Sequence, residues 1–398
     1  MEIYDRIMAY NAGREPERLQ MKLAAMQSDP FTFLRGACHL FYEDWHKQLN
    51  QLKSPNVWLC GDLHLENFGT YKAENGLAYF DLNDFDESAL APCLWELTRL
   101  LTSLIVAADT LKLKPKQTDA LLDSMIHRYA SALAAGKPKW VERKTAGGMI
   151  KTLLSDLSKR TQQDFLASRT ETKGGETTLI IDGERTLKLN KEEKQAALAR
   201  FTACMQVKNK KDYYTPLDIA RRVAGTGSLG VARYVVLVNG EGKGNHALID
   251  MKASNPSALS PYLPAQPQWK TQSERVATIQ AGAQILSPAL LKPVEIDGKS
   301  YLIKALQPSQ DRLDLTLWDG KLNVLDNIFD TMAEISAWSH LRNAGYLHAS
   351  NRETLMQFGA QVDTWKAPTL ALAKQAAEQT IAQWSAYKKA VEKISPKK

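Results

Sequence analysis

Apolar residues recur at helical spacing over 31–52, 95–108, 121–135, 191–205 and 272–286, and again over 323–345 and 352–394. This period predicts helices, with 95–108 apolar enough to be buried. Residues 1–25 read as a polar, peripheral helical cap. The pattern changes to short β-branched and aromatic runs at Val57-Trp58-Leu59-Cys60, at Leu77-Ala78-Tyr79-Phe80 and over 177–181. Similar runs fill 231–238, 247–252 and 301–306, each bounded by turn residues, as strands are. The expected fold class is α+β. A helical lobe spans 1–215, a β-rich lobe 216–310, and helices over 311–398 complete the first lobe, with Pro308 at the junction. Residues 136–175 are charged and less periodic, and no internal repeat is present.

The first two apolar runs each end in an acid. Gly61-Asp62-Leu63-His64-Leu65-Glu66-Asn67-Phe68-Gly69 follows one, and Asp81-Leu82-Asn83-Asp84-Phe85-Asp86-Glu87 follows the other. Glu74-Asn75-Gly76 between them is a hairpin turn signal that returns Asp81 toward Asp62 and Asn67. Acids in turns are commonly solvated. Two of them at strand ends, however, match what kinase-type phosphoryl transfer requires: a carboxylate to orient a hydroxyl, and an amide and a carboxylate to hold magnesium. Asp62 is the candidate catalytic acid, and Asn67 and Asp81 the candidate metal ligands. Asp84, in an Asp-Phe-Asp run, competes with Asp81. His64 is read as ordering its loop, Arg35 as a partner for a nearby acid, and His340 and His348 as surface or cap residues.

Gly225-Thr226-Gly227-Ser228-Leu229-Gly230 has the Gly-x-Gly-x-x-Gly spacing shared by dinucleotide folds and kinases. A strand-like run follows it, then the turn 239–245 including Lys243, then a strand ending at Lys252. That order is the order of a kinase nucleotide lobe. Gly225, Gly227, Ser228 and Gly230 would lie along phosphates, and Lys252 would add charge to them. Glu274, the one acid in 272–286, is by elimination the candidate brace for Lys252, with Gln280 and Gln284 as weaker substitutes.

These motifs, together with Met26-Gln27-Ser28-Asp29-Pro30-Phe31-Thr32-Phe33-Leu34-Arg35-Gly36, resemble the bacterial family called domain of unknown function 2252 over nearly the whole chain. That family is similar to the protein-kinase-like superfamily, which includes aminoglycoside and choline phosphotransferases. The resemblance implies a bilobal kinase-like fold that takes ATP and Mg2+, with Asp62 catalytic, Asn67 and Asp81 on the metal and Lys252 on phosphate. It places Glu96 where those transferases carry a structural Asp. Cys60 stands where they often have His. The glycine loop follows the catalytic loop instead of preceding it, which implies a circular permutation.

Composition adds bounds. The chain has 398 residues, 44% hydrophobic and 24% charged, and a net charge of +7. The apolar stretch 100–108 is too short to span a membrane, and the start is no signal peptide, so cytoplasmic residence is expected. Cys38, Cys60, Cys93 and Cys204 show no paired spacing. The basic runs Lys208–Lys211 and Lys397-Lys398 lack interleaved aromatics, so no specific nucleic-acid binding is expected. The expected partners are a nucleotide and a small-molecule or protein hydroxyl. Nucleotidyl (AMP) transfer on the same fold and a nucleotide-binding pseudokinase remain open. A metallophosphoesterase, suggested by Asp62-x-His64 and Gly244-Asn245-His246, lacks further metal ligands at useful spacing.

Overall fold

Proline and capping acids set the first helices. Pro16 and Pro30 occupy first-turn positions where their missing N–H costs nothing, while Glu15 and Asp29 accept first-turn amides. A computed structural model of the chain describes residues 2–205, 212–242, 244–306 and 311–394. The lysine runs at 208–211 and 397–398, Lys243 and the Pro308 junction lie outside the described residues.

Helices α1 (Ile3–Tyr10), α2 (Pro16–Ala25), α3 (Pro30–Gly36) and α4 (Cys38–Gln51) come first. The single helix expected over 31–52 is thus two, broken at Ala37, which leaves helical dihedrals at φ −124° and ψ 45°. Strands β1 (Asn56–Leu59), β2 (Phe68–Lys72), β3 (Ala78–Leu82) and β4 (Ala89–Pro92) follow as two antiparallel pairs, β1 with β4 and β2 with β3. The Glu74-Asn75-Gly76 turn joins β2 to β3, with Gly69 opposite Asp81. Helix α5 (Cys93–Ala107) is buried at every residue but Ile105. A mostly apolar helix buried on all sides belongs in the middle of a core, and α5, which also buries Glu96 and Arg99, packs against α3, α4 and β1. Helices α6 (Pro115–Ala135), α7 (Gly148–Leu157) and α8 (Gln162–Ala167) continue the chain, Met125 and Tyr129 of α6 being fully buried.

After the small hairpin β5 (Thr170–Lys173) and β6 (Glu176–Leu179), a six-stranded antiparallel sheet begins. It comprises β7 (Thr186–Leu187), β8 (Pro216–Arg222), β9 (Arg233–Val238), β10 (Ala247–Ala253), β11 (Leu291–Ile296) and β12 (Lys299–Leu306), in the order β11-β12-β10-β9-β8-β7. Helix α9 (Lys191–Cys204) precedes β8, and α10 (Gln272–Ala283) lies between β10 and β11.

Because strand side chains alternate, the two faces of this sheet differ in chemistry. Ile219, Val236, Val238, Ile249, Met251 and Ile303 point outward and pack under Phe201 and Ala197 of α9. The inner face is apolar at one end, where Ala220, Val235, Leu237, Leu248 and Leu306 meet Leu166 and Leu179. Further along the same strands it carries Arg222, Arg233, Asp250, Lys252 and Lys304, all lining a cleft. Asp250 pairs with Lys304 in register, and Lys252 with Leu302 and Arg233.

The chain then returns to the helical part. Asp311 and Arg312 are stitched to β2, with Thr70 N–H donating to Asp311 O at 2.8 Å. Helices α11 (Leu322–Arg342), α12 (Arg352–Ala360) and α13 (Val362–Ile394) pack on α6 and α5. The stretch expected as one helix over 352–394 is interrupted at Gln361. Among the described residues no helix is long and apolar enough to cross a membrane.

Candidate active site

The Asp62 loop is built on backbone geometry that only glycine tolerates well. Gly61 has φ +93°, and a Cβ there would lie 2.1 Å from Glu87 O. Its N–H donates to Glu96 at 2.9 Å, and its carbonyl accepts from the Tyr42 hydroxyl. Glu96 is fully buried on α5 and takes a second partner, His340, at 2.8 Å. The expectation that His340 is a surface or cap residue is therefore corrected: it is 1% exposed and holds the acid that holds the loop. Helical position is the reason, since His340 lies on the inward face of α11, within its last turn. His348 does sit in an exposed turn, at φ +70°.

One oxygen of Asp62 is engaged by Arg99, whose Nε donates at 2.9 Å and whose Nη2 donates to the same atom. Burial opposes the charge of Arg99, but Cys38 and then the facing Asp62 carboxylate carry its pKa upward. The second oxygen, Oδ2, faces Gly227, lying 3.8 Å from where a Cβ at that glycine would be. Asp62 is thus fixed by a buried cation and still presents an acceptor to the cleft. His64 is buried, accepts the Glu66 N–H through Nδ1 and orders the turn that follows. Burial, then Arg35, drives its pKa far below the usual range, which keeps it neutral. Arg35 pairs with Glu66 at 2.7 Å, and Arg312 joins the same carboxylate at 2.6 Å.

Asn67 ties two loops together. Its Nδ2 donates to Asp62 O at 3.0 Å and to Asp84 O at 3.2 Å, and its Oδ1 accepts the Asp84 N–H at 2.9 Å. Two carbonyls and one N–H around the amide fix its orientation, and one lone pair of Oδ1 remains for a metal.

Asp81 and Asp84 part company. Asp81 is buried on the far side of β3, against α11, where Arg342 reaches it at 3.3 Å. Burial raises its pKa more than Arg342 lowers it. Asp84, past the end of β3 where the chain turns, opens into the cleft with half of its side chain exposed. Asp81 lies opposite Gly69, near the Asp62 loop as the hairpin predicts, but its side chain takes the face toward Arg342. The hairpin does not bring its carboxylate beside Asp62.

Lys252 meets the acids from above. Its Nζ contacts Asp86 and lies 3.7 Å from Asp84. Burial would lower its pKa, but Asp84 and Asp86 outweigh it and raise it. Glu274 is elsewhere. Its carboxylate accepts the Lys270 N–H at 2.9 Å, and its own N–H binds Thr271, so it closes the N-terminus of α10. The sequence Thr271-x-x-Glu274 carries that capping signal. Arg275, the next residue, reaches instead to the backbone of Ser88, Asp86 and Asn255 and secures the acidic loop. Gln280 lines the cleft, while Gln284 donates to Leu82 O.

The glycine loop is a set of tight turns between β8 and β9, with Gly225 at φ +72° and Gly230 at φ +84°. Its covering comes from the N-terminal helices, which are more than a peripheral cap. Arg14 donates to Gly227 O at 2.7 Å and Leu229 O at 2.8 Å, and Lys22 to Gly227 O at 2.8 Å. Burial, then Arg14, pushes the Lys22 pKa well down. Ser228 faces the cleft and its N–H closes a turn on Gly225 O. Behind the loop, Asp250 binds Arg222 at 2.7 Å and Arg233 at 2.6 Å. Burial would raise its pKa, and the two guanidiniums hold it far below the carboxylate range. Glu87, beside Asp62, moves the other way. Burial takes its pKa up to about 7, against the N–H of Ala258.

The cleft has a volume of about 410 Å³ and is walled by Asp62, Asp84, Lys252, Lys304, Arg14 and the glycine loop. Asp84 and Asp86, with the free lone pair of Asn67, suit a hard cation held largely by phosphate oxygens. Among the described residues no group of three or more His, Cys, Asp or Glu side chains is set to hold a metal by itself. His246 lies in the β9–β10 turn with its ring on Asn239 O, while Asp62 faces the glycine loop at the opposite end of β9.

Fold and site define an α+β protein with a charged cleft between a helical part and an antiparallel sheet. It belongs to the bacterial family described as "Uncharacterized protein conserved in bacteria (DUF2252)", which matches residues 14–390. No curated protein and no solved structure matches the chain.

Proposed function

We propose that this protein is an ATP- and Mg2+-dependent phosphotransferase of circularly permuted, protein-kinase-like fold, acting on a small-molecule or protein hydroxyl. The observation that carries the reading is the convergence of Lys252 on Asp84 and Asp86 in a cleft that Asp62 and the glycine loop also line. The chain order of β8, glycine loop, β9, turn, β10 with lysine, α10, β11 and β12 supports it, as this is how a kinase nucleotide lobe is threaded.

In this reading Lys252 and the glycine-loop amides hold phosphates, and Asp84, Asp86 and Asn67 would hold the metal. Bound there, magnesium would neutralise phosphate charge. Asp62, oriented by Arg99, directs Oδ2 at the acceptor hydroxyl and takes its proton as the phosphorus–oxygen bond forms. The structural acid expected at Glu96 does its work through the Gly61 N–H. A second reading, AMP transfer, is favoured by the further cations Arg222, Arg233 and Lys304 inside the sheet lobe, where the terminal phosphates of an inverted nucleotide would lie.

Thermal shift with MgATP on wild type and Lys252→Ala tests the site. A ligand at a hundred times its dissociation constant adds about 2.7 kcal/mol to the native state, and Lys252→Ala should lose that shift. Product analysis separates ADP (phosphoryl transfer) from pyrophosphate (AMP transfer). No shift with either protein would end both readings.

A further inference from the structure

A second cavity, of about 210 Å³, adjoins the cleft and shares Arg222 and Ala224 with it. One wall is the apolar end of the inner sheet face, Val235, Leu248 and Leu306, and the other is the β5–β6 hairpin through Leu179. Its lining also carries Ser168, Arg169, Asp182, Arg185, Thr186 and Arg222; Arg185 is paired with Asp182 and Arg222 with Asp250 at 2.7 Å, which leaves the Arg169 guanidinium. The guanidinium of Arg169 lies over the Phe165 ring at 5.5 Å, and its Nε is buried without a hydrogen-bond partner. Asp182 and Thr186 at the rim are already satisfied, by Arg185 and by Ile180 O respectively. A buried donor left unpaired costs free energy that a ligand acceptor would recover. A slot with an aliphatic wall and, on its polar side, an unpaired Arg169 Nε beside already paired arginines suits a heteroaromatic ring with an acceptor atom.

Position supplies the rest. The chain runs from Arg222 and Ala224, at the slot, through Gly225 to Gly227, which faces Asp62. Leu248 in the slot and Lys252 in the cleft are four residues apart on one strand, about 13 Å at ~3.3 Å per residue. Resting on the nucleotide reading above, we infer that this slot receives the nucleobase, so that the phosphates run under the glycine loop and the terminal phosphate arrives beside Asp62. That orientation selects phosphoryl transfer over AMP transfer.

The test compares MgATP with magnesium tripolyphosphate by calorimetry on the full chain, for wild type, Ser168→Trp and Arg169→Ala. Ser168 is exposed at the slot's edge, so the indole closes the slot without entering the core. Wild type should bind MgATP at least tenfold more tightly than tripolyphosphate. Ser168→Trp should erase that margin, and Arg169→Ala reduce it, while tripolyphosphate affinity stays unchanged in both. Equal affinity for the two ligands in wild type, or an unchanged margin in Ser168→Trp, would overturn the base slot and leave the phosphate site standing. Absence of binding by both ligands in wild type would overturn the nucleotide reading and the slot together.

Discussion

His340 Nε2 lies 2.8 Å from one oxygen of the Glu96 carboxylate, and that carboxylate's other oxygen accepts the N–H of Gly61 at 2.9 Å. Both side chains are fully buried. The Tyr129 hydroxyl lies 2.9 Å from Nδ1, which completes a polar chain from α6 to the Asp62 loop. Removing one member of a buried, mutually satisfied pair leaves the other without compensation, at about 3–5 kcal/mol. His340→Ala should therefore lower stability by that order in a urea melt, although His340 does not line the cleft. A loss under 1 kcal/mol would mean the pair does not support the loop.

The two candidate metal acids separate by mutation. On the proposed function, Asp84→Ala should abolish the magnesium dependence of ATP binding with a small effect on unliganded stability, because its side chain is half exposed. Asp81→Ala should do the reverse: it strands the buried Arg342, costing several kcal/mol, while the folded fraction keeps its magnesium response. The same calorimetric titration on both variants decides.

Gly61→Ala combines a left-handed backbone with a collision. A Cβ at 2.1 Å from Glu87 O requires the Asp86–Ser88 loop to move. A strained dihedral alone costs about 1–3 kcal/mol, so a melting-temperature drop together with loss of nucleotide binding is expected. An unchanged melt would show that the loop can yield.

Glu87 makes stability pH-dependent near neutrality. Its folded pKa of about 7 lies above the ordinary 4.5, so the folded state binds the extra proton. The contribution is complete below pH 4.5 and is lost as pH rises through 7. At ~1.4 kcal/mol per pH unit the limit is roughly 3 kcal/mol. Glu87→Gln should flatten the stability profile between pH 5 and 7.5. A wild-type profile already flat there would place Glu87 at an ordinary value.

Glu274→Ala should cost only what a helix cap is worth, about 1 kcal/mol, and leave ATP affinity unchanged, since its carboxylate binds Lys270 N–H. A tenfold loss of ATP affinity would return it to the role of bracing Lys252.

Local features of the sequence were legible because their signals are local. The Glu74-Asn75-Gly76 turn, the apolar runs of the sheet and the mostly apolar, buried α5 each appear in the structure close to the expected place. So does the ordering role of His64. What escaped the sequence depends on contacts across hundreds of positions. Arg14 and Lys22 reach Gly227, more than 200 residues away, and nothing around them signals a glycine loop. Arg99 and Arg275 lie in ordinary helical patterns, and only the assembled fold shows what they hold. The choice between Asp81 and Asp84 turns on where β3 stops, which spacing alone leaves undecided. His340 reads as solvated because it is a polar residue near a helix end, while its buried acid lies 244 positions earlier.

Helix α13 lies along α5, with Thr102 reaching Ala373 O, and Tyr387 binds Leu23 O on α2. Synthesis runs from the N-terminus, so the Asp62 loop and the whole sheet leave the ribosome before the helix that seats α5 and the glycine-loop cover. A growing chain can fold its sheet early, while α5 and α2 gain their α13 contacts only when the last helix has emerged. On the proposed function, nucleotide binding by ribosome-bound chains should accordingly appear late.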